Sequence, residues 1–198
     1  MSSIQPPTPV HTSAPLPTPV WVVIMGVAGC GKSTIARRVA DALGLAFIEG
    51  DLFHPPENVR KMTEGIALED ADREGWLDRL GRELQSQSQG AVLSCSALKR
   101  SYRDRLRHAM PDLRFVHLSI SQGVANARVD ARANQHLFPP SLVASQFAAL
   151  EDPLGEERVL QLDGAQAPSV LTAQAIEWIA ASQRNTLAMQ ASTPSTEN

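Results

Sequence analysis

The chain of 198 residues has little of several features that mark common protein classes. Its two cysteines, Cys30 and Cys95, are far apart and have no histidine cluster beside them, which excludes a disulfide framework and a zinc pattern. No apolar run approaches the roughly 20 residues of a membrane helix. The formal net charge is −3, so no basic surface indicates nucleic acid or an anionic membrane. These absences predict a cytoplasmic protein that binds neither.

The two ends of the chain are also poor in large apolar residues. Residues 1–20 are rich in proline, serine and threonine and lack the basic start and apolar run of a secretory signal. Residues 183–198 are similarly polar. We therefore expect disordered tails at 1–20 and 183–198 around one folded domain at 21–182, which is long enough to bury one core.

Between the tails, short apolar runs alternate with segments of helical periodicity. Ile35, Val39 and Leu43 recur every four residues after the first run, and Gly44 is placed to end that helix. Alternation of this kind predicts an α/β fold with a mostly parallel sheet covered by helices on both faces. The five apolar runs are Trp21–Met25, Leu45–Glu49, Ala91–Cys95, Arg114–Ile120 and Val159–Asp163.

A glycine-rich motif follows the first apolar run. Gly26-x4-Gly31-Lys32-Ser33 matches the P-loop pattern, in which backbone N–H groups and a helix N-terminus bind phosphates. Lys32 is expected to reach the β- and γ-phosphates of ATP, and the Ser33 hydroxyl to bind Mg²⁺. The predicted phosphate-binding residues are Gly26, Val27, Ala28, Gly29, Cys30, Gly31, Lys32, Ser33 and Thr34.

The rest of the sequence narrows the type of P-loop protein. It contains no Asn-Lys-x-Asp tetrapeptide of the kind that reads guanine in GTPases. The third apolar run, Ala91–Cys95, ends in serine and cysteine, whereas hydrolysing ATPases place a carboxylate there. Both observations favour a small-molecule kinase.

Asp51 is the candidate catalytic carboxylate. It follows the second apolar run, which puts it at the carboxyl edge of the sheet, where open α/β sheets bind ligands. There it can accept the proton of an attacking hydroxyl, orient that hydroxyl and act on Mg²⁺ through water. The alternative is that Asp51 only caps a helix or stabilises a turn.

Three further blocks resemble the gluconokinase signature of the shikimate-kinase-like P-loop kinases. The first begins at Gly50–Pro55 and continues to Trp76-Leu77, the second is Cys95–Asp104, and the third is Ser145–Phe147 with Leu150–Pro153. The resemblance covers roughly residues 21–180. It implies a five-stranded parallel sheet with a lid segment, a homodimer, and ATP-dependent phosphorylation of D-gluconate at the 6-hydroxyl to give 6-phosphogluconate.

The matched positions suggest how gluconate, a polyol with one carboxylate, would be bound. Cations suit the carboxylate, and arginine is the better bidentate partner. His54 would bind a hydroxyl or, equally, cap the next helix, and Trp76 is expected in the core. Lys61 and Arg73 have the alternative of ordinary surface ion pairs. The predicted substrate-binding residues are Asp51, His54, Lys61, Arg73, Lys99 and Arg103.

The lid contributes two more catalytic candidates. Arg128 and Arg132 are spaced i, i+4, so one helical face would present both to the transferring phosphoryl group. The alternative is two solvated arginines. The segment from Ala133 to Phe138 is one residue longer than the family pattern, so no role is assigned to His136.

Two other functions stay open at this point. A kinase of the same fold acting on another hydroxy acid, such as shikimate, is disfavoured by the insert from His54 to Trp76 and by the block Ser96–Arg103. A nucleotide switch or hydrolase would turn over ATP without an acceptor, and the carboxylate it needs after the third apolar run is absent.

Overall fold

The computed structural model describes residues 18–131 and 141–191. They form one parallel sheet of five strands in the order β2-β3-β1-β4-β5. The strands are β1 Val20–Met25, β2 Ala46–Glu49, β3 Gly90–Ser94, β4 Arg114–Ser119 and β5 Val159–Asp163. The helices are α1 Lys32–Leu43, α2 Pro56–Thr63, α3 Asp70–Ser86, α4 Arg100–Ala109, α5 Gln122–Asp130, α6 Ser141–Ala149 and α7 Pro168–Ala191. The predicted fold class and all five predicted strands are confirmed, each to within one residue at either end.

The central strand β1 shows why the apolar runs are nearly continuous. Its alternate residues Val22 and Ile24 pack into a core cluster with α1 and α7 on one face of the sheet. Val23 and Met25 pack into a second cluster with α3 and α4 on the other face. Because side chains alternate across a strand, a strand covered on both faces must be apolar at every position.

Local signals set the ends of two helices. Gly44 ends α1 as predicted: it adopts a left-handed conformation (φ 66°), and its N–H bonds back to the carbonyl groups of Ala40 and Asp41. Helix α3 begins at a capping box, in which the side chains of Glu69 and Asp72 each accept a hydrogen bond from the other's backbone N–H.

The folded unit extends beyond both boundaries predicted from composition. Helix α7 continues to Ala191, past residue 182. Within it Gln183 is buried and donates from Nε2 to the carbonyl oxygen of Thr18 at 2.8 Å. The expected start at 21 and end at 182 therefore need correction, because polar composition alone did not reveal this contact between the two ends. Residues 1–17 and 192–198 lie outside the described residues.

Among the helices of the described residues, the longest is α7, with 24 residues. Among the described residues, no helix is both long enough and apolar enough to cross a bilayer.

Candidate active site

The P-loop connects β1 to α1, and its conformation requires glycine. Gly31 is the residue before α1 and has φ 95°, and Gly29 has φ 78°. A Cβ at residue 29 would lie 2.9 Å from the carbonyl oxygen of Ala125, and one at Gly26 would lie 2.8 Å from that of Leu118. Glycine is needed here for its backbone conformation and for close approach to α5 and β4.

Hydrogen bonds hold the P-loop in place. Gly26 N–H donates to the carbonyl oxygen of Ser96 at 3.3 Å, and Cys30 N–H donates to that of Val27 at 3.3 Å. The N–H groups at the start of α1 have no partner within the helix, as at every helix N-terminus. This end of α1 is therefore a site for an anion such as a phosphate.

Lys32 lies at the start of α1 and lines a cavity at the carboxyl edge of the sheet. Burial works against its charged form, but the neighbouring carboxyl groups of Asp51 and Glu49 act in the opposite direction, and the net effect is a raised pKa for Lys32. Burial also raises the pKa of the Cys30 thiol, so that thiol stays uncharged. The two carboxyl groups are therefore what holds the Lys32 ammonium in its charged form.

Asp51 lines the same cavity as Lys32, so the expected proximity of these two residues is present. It lies in a short 3-10 turn, Gly50–Phe53, that follows β2 directly. A Cβ at residue 50 would overlap the carbonyl oxygen of Ser94 on the neighbouring strand. Glycine at position 50 thus lets the turn close against β3 and directs the chain back over the P-loop.

The end of β3 lacks a carboxylate but carries Ser94, which lies beside a hydroxyl group of α1 and an acid of β2. Ser33 Oγ lies 3.2 Å from Ser94 Oγ. Ser94 is paired in register with Glu49 on β2, whose Oε1 is buried and has no hydrogen-bond partner in the described part of the chain. An unpaired carboxylate oxygen near hydroxyl groups suits the water shell of Mg²⁺. Within residues 18–131 and 141–191, no group of three or more His, Cys, Asp or Glu could hold a metal ion.

His54 is buried in the cavity wall. Its ring stacks on Trp76 with a centroid distance of 4.1 Å, and its Nδ1 lies 3.3 Å from Nδ2 of Asn58. Burial lowers the pKa of His54 to about 4, partly opposed by Asp51, so the imidazole is neutral at pH 7. Pro55 precedes α2, and no side chain caps that helix, so the interpretation of His54 as a helix cap is wrong.

Trp76 has two roles. It is buried, as expected of a core residue, and its indole N–H donates to the carbonyl oxygen of Gly50 at 2.9 Å. It also lines the cavity beneath His54. The tryptophan therefore supports the turn that carries Asp51.

The four predicted substrate-binding cations separate into two groups. Arg73 lines the cavity, and its Nη1 donates to the carbonyl oxygen of Leu68 at 2.6 Å and contacts the Tyr102 hydroxyl at 3.4 Å. No carboxylate pairs with it among the described residues. Arg73 is thus a cation with charge available for an anionic ligand.

The other three cations are paired with carboxylates of the chain. Lys61 binds Asp72 at 2.7 Å, which agrees with the surface ion-pair alternative. Lys99 binds Asp70 at 2.6 Å. None of the three is among the described residues that line the cavity.

Arg103 requires a correction. Its side chain is fully buried, and Nε and Nη2 bind Glu156 while Nη1 donates to the carbonyl oxygens of Ala97 and Leu98, each at 2.9 Å. Every guanidinium nitrogen is therefore occupied. Arg103 supports the loop after β3, in place of the substrate-binding role predicted for it.

Arg128 extends from α5 across the P-loop. Its Nη1 donates to the carbonyl oxygens of Gly29 at 3.3 Å and Gly164 at 3.0 Å, which links the P-loop to the segment after β5. Arg132 and His136 lie outside the described residues. The prediction that Arg128 and Arg132 share one helical face toward the phosphates stays a prediction.

Sequence reasoning missed three residues of this region: Glu49, Ser94 and Gln146. Gln146 is buried on α6, lines the cavity, and accepts a hydrogen bond from Ala28 N–H at 2.6 Å. Glu49 was visible in the sequence as the last residue of the second apolar run. Gln146 lies in the matched block Ser145–Phe147, but its contact with Ala28 could not be predicted from the sequence, since 118 positions separate the two residues.

A five-stranded parallel sheet with a P-loop, and beside it a cavity lined by Lys32, Asp51 and Arg73, is the arrangement of the P-loop small-molecule kinases. The AAA domain family model matches residues 21–153, in agreement with a P-loop domain. The gluconokinase of Gluconobacter oxydans is 46% identical over 162 residues, which are 80% of this chain and 90% of that protein. The chain belongs to the gluconokinase family.

Solved structures agree with this assignment. A gluconokinase structure from Sinorhizobium meliloti 1021 is 45% identical, with a TM-score of 0.80, and the match covers 86% of this chain and 97% of that one. Shikimate kinase from Acinetobacter baumannii, in complex with shikimate, is 18% identical with a TM-score of 0.57, covering 83% and 94%. At that identity the second likeness shows the fold alone.

Proposed function

We propose that this protein phosphorylates D-gluconate at its 6-hydroxyl with ATP, giving 6-phospho-D-gluconate and ADP. The observation that carries the proposal is a single cavity beside the P-loop that combines Lys32, Asp51 and Arg73. These supply a cation for the phosphates, a proton acceptor for a hydroxyl and a cation for a carboxylate. Family membership favours gluconate over shikimate as the acceptor.

In the proposed reaction, the carboxylate of gluconate binds Arg73 and places the opposite end of the polyol near Asp51. The 6-hydroxyl oxygen attacks the γ-phosphorus of ATP, and the bond between that phosphorus and the β,γ-bridging oxygen breaks. Asp51 accepts the hydroxyl proton. Lys32 and the N-terminus of α1 stabilise the negative charge on the phosphates as ADP leaves.

Neutral groups complete the acceptor site. Because the pKa of His54 is about 4, its ring is uncharged at pH 7 and suits a hydroxyl better than a second anion. The stack on Trp76 fixes the ring's orientation. Arg128 would add positive charge on the nucleotide side, together with Arg132.

Mg²⁺ would be held by the Ser33 hydroxyl and, through water, by Asp51. Glu49, which is in register with Ser94 and has an unpaired Oε1, would be a further acceptor for the water shell. When bound, it would neutralise charge on the β- and γ-phosphates. Lys61 and Lys99 contribute indirectly, because they hold Asp72 and Asp70 at the start of the helix that carries Arg73.

We further propose that the protein acts in the cytoplasm, and that it is a homodimer, as the family resemblance implies. Its two cysteines are both buried and unpaired, and burial raises the pKa of Cys95 to about 12. Inert thiols are compatible with a reducing compartment. Light scattering on the purified protein tests the dimer, with a monomer mass as the contrary result.

Coupled measurement of ADP release tests the function. Purified protein with MgATP should release ADP quickly when gluconate is added, and far more slowly with shikimate, glucose or no acceptor. Detection of 6-phosphogluconate by its own dehydrogenase would confirm the position of transfer. Equal ADP release with and without gluconate would refute the kinase assignment.

A further inference from the structure

Gln146 is a buried side chain of the site whose chemistry the proposed reaction leaves unused. It lies on α6, 6% exposed, and its Oε1 accepts the hydrogen bond from Ala28 N–H. A backbone N–H can only donate, so this bond fixes which end of the carboxamide is oxygen and which is nitrogen. The orientation of the amide is therefore set by the P-loop itself.

The nitrogen end of the same carboxamide remains available. Among residues 18–131 and 141–191, Nε2 of Gln146 has no hydrogen-bond partner, although the side chain lines the cavity with Lys32, Asp51 and Arg73. This nitrogen is a hydrogen-bond donor on the cavity wall that no described residue uses, and such a donor can bond a ligand. Its natural partner is an acceptor atom that enters the cavity.

The charges around Gln146 indicate which acceptor that is. Anionic oxygens already have cations in the cavity, Lys32 for the phosphates and Arg73 for a carboxylate. Asp51 and neutral His54 are suited to hydroxyl groups. A neutral donor held against the P-loop, in a cavity whose cations serve the anionic groups, suits an uncharged hydroxyl oxygen of a polyol.

We infer that Gln146 is a substrate-positioning residue, which donates from Nε2 to a hydroxyl oxygen of the acceptor while its Oε1 stays bound to Ala28. This rests on the proposed function. One amide would then hold both reactants at a fixed separation, the phosphate donor through the P-loop and the polyol through its hydroxyl. Such positioning affects the rate at which the bound acceptor reacts, and it favours acceptors that carry a hydroxyl group at that place.

The test combines protein variants with substrate analogues. Gln146→Leu keeps the approximate size and removes both polar ends, and Gln146→Glu keeps an oxygen for Ala28 N–H while removing the donor. Gln85→Ala is the control, a glutamine on α3 outside the cavity whose Nε2 donates to the carbonyl oxygen of Ala109 at 2.8 Å. Each protein is assayed with gluconate and with its monodeoxy analogues.

Loss of one neutral hydrogen bond should raise KM for gluconate or lower kcat/KM by about tenfold in Gln146→Leu, with Gln85→Ala unchanged. For the analogue that lacks the hydroxyl bound by Gln146, the wild type should already show this loss in kcat/KM. Gln146→Leu should lower kcat/KM for that analogue by no more than about twofold further. The Gln146→Glu variant should show the same pattern across the analogues, which covers the case in which Gln146→Leu does not fold.

Two results would overturn the inference. One is an equal loss for gluconate and every deoxy analogue, which indicates that Gln146 only supports the P-loop. The other is a change confined to MgADP affinity, measured by calorimetry, or to thermal stability. A wild-type protein that does not phosphorylate gluconate would instead refute the proposed function, and that result is obtained before any variant is assayed.

Discussion

Replacing Arg73 tests how the protein recognises the acid end of its acceptor. Arg73 lines the cavity and donates to the carbonyl oxygen of Leu68, but within the described residues it has no carboxylate partner. Its guanidinium also lies 5.5 Å from the centre of the Tyr102 ring. Arg73→Met removes the charge and keeps much of the side-chain length, so packing on Tyr102 should survive.

The magnitude follows from the kind of contact that is lost. A hydrogen bond to a charged group contributes about 1.5–3 kcal/mol, and each 1.4 kcal/mol is tenfold in affinity. Arg73 is half-buried, so solvent screens part of its charge, and we expect a loss of about 2 kcal/mol. KM for gluconate should rise by about 30-fold, while KM for ATP stays within about twofold. KM for gluconate in Arg73→Lys should lie between the values for the wild type and Arg73→Met, because lysine keeps the charge but not the bidentate geometry.

Arg79→Met is the matched control on the same helix. Arg79 also lies over an aromatic ring, 5.1 Å from the centre of Phe53, and donates to a backbone carbonyl, but it is not among the residues that line the cavity. D-Glucitol, in which the carboxylate is replaced by a hydroxymethyl group, supplies the second control. The wild type should discriminate strongly against glucitol, and Arg73→Met should not. An unchanged KM for gluconate in Arg73→Met, or the same rise in Arg79→Met, would refute the reasoning.

Three further predictions concern the proton acceptor, the buried histidine and the P-loop. Asp51→Asn should lower kcat by about 10²–10⁴-fold with MgADP affinity retained in calorimetry, and full turnover would exclude Asp51 as the base. Because the pKa of His54 is about 4 in the folded protein against 6.5 ordinarily, the unfolded state binds more protons between these values, so stability falls as pH drops from 6.5 toward 4. The free energy of unfolding lost through this group is as much as about 3 kcal/mol. Between pH 7.5 and pH 5, urea unfolding should therefore show a smaller decrease in stability for His54→Gln than for the wild type. Equal decreases in the two proteins would contradict the lowered pKa of His54. Gly29→Ala combines a left-handed φ with a Cβ 2.9 Å from a backbone oxygen, so MgADP binding should fall by at least about tenfold, whereas Gly123→Ala, where a Cβ meets nothing within 4 Å, should bind normally.

Local patterns in the chain were enough for the fold and for the position of the P-loop. The strands are recognisable because strands buried on both faces need unbroken apolar runs, as in β1. The P-loop is recognisable because glycine, lysine and serine must occur at fixed spacing within eight residues. Asp51 could be placed beside it because the carboxyl ends of parallel strands meet at one edge of the sheet.

The tertiary structure alone decided which polar residues share the cavity. Lys99 and Arg103 looked as suitable as Arg73 in the sequence, but Asp70 and Glu156, which are 29 and 53 positions away from them, take up their charge. Gln146 reaches the P-loop across 118 positions. Periodicity and motif spacing report interactions between near neighbours, whereas ion pairing and side-chain hydrogen bonding depend on distances that exist only after the helices have packed on the sheet.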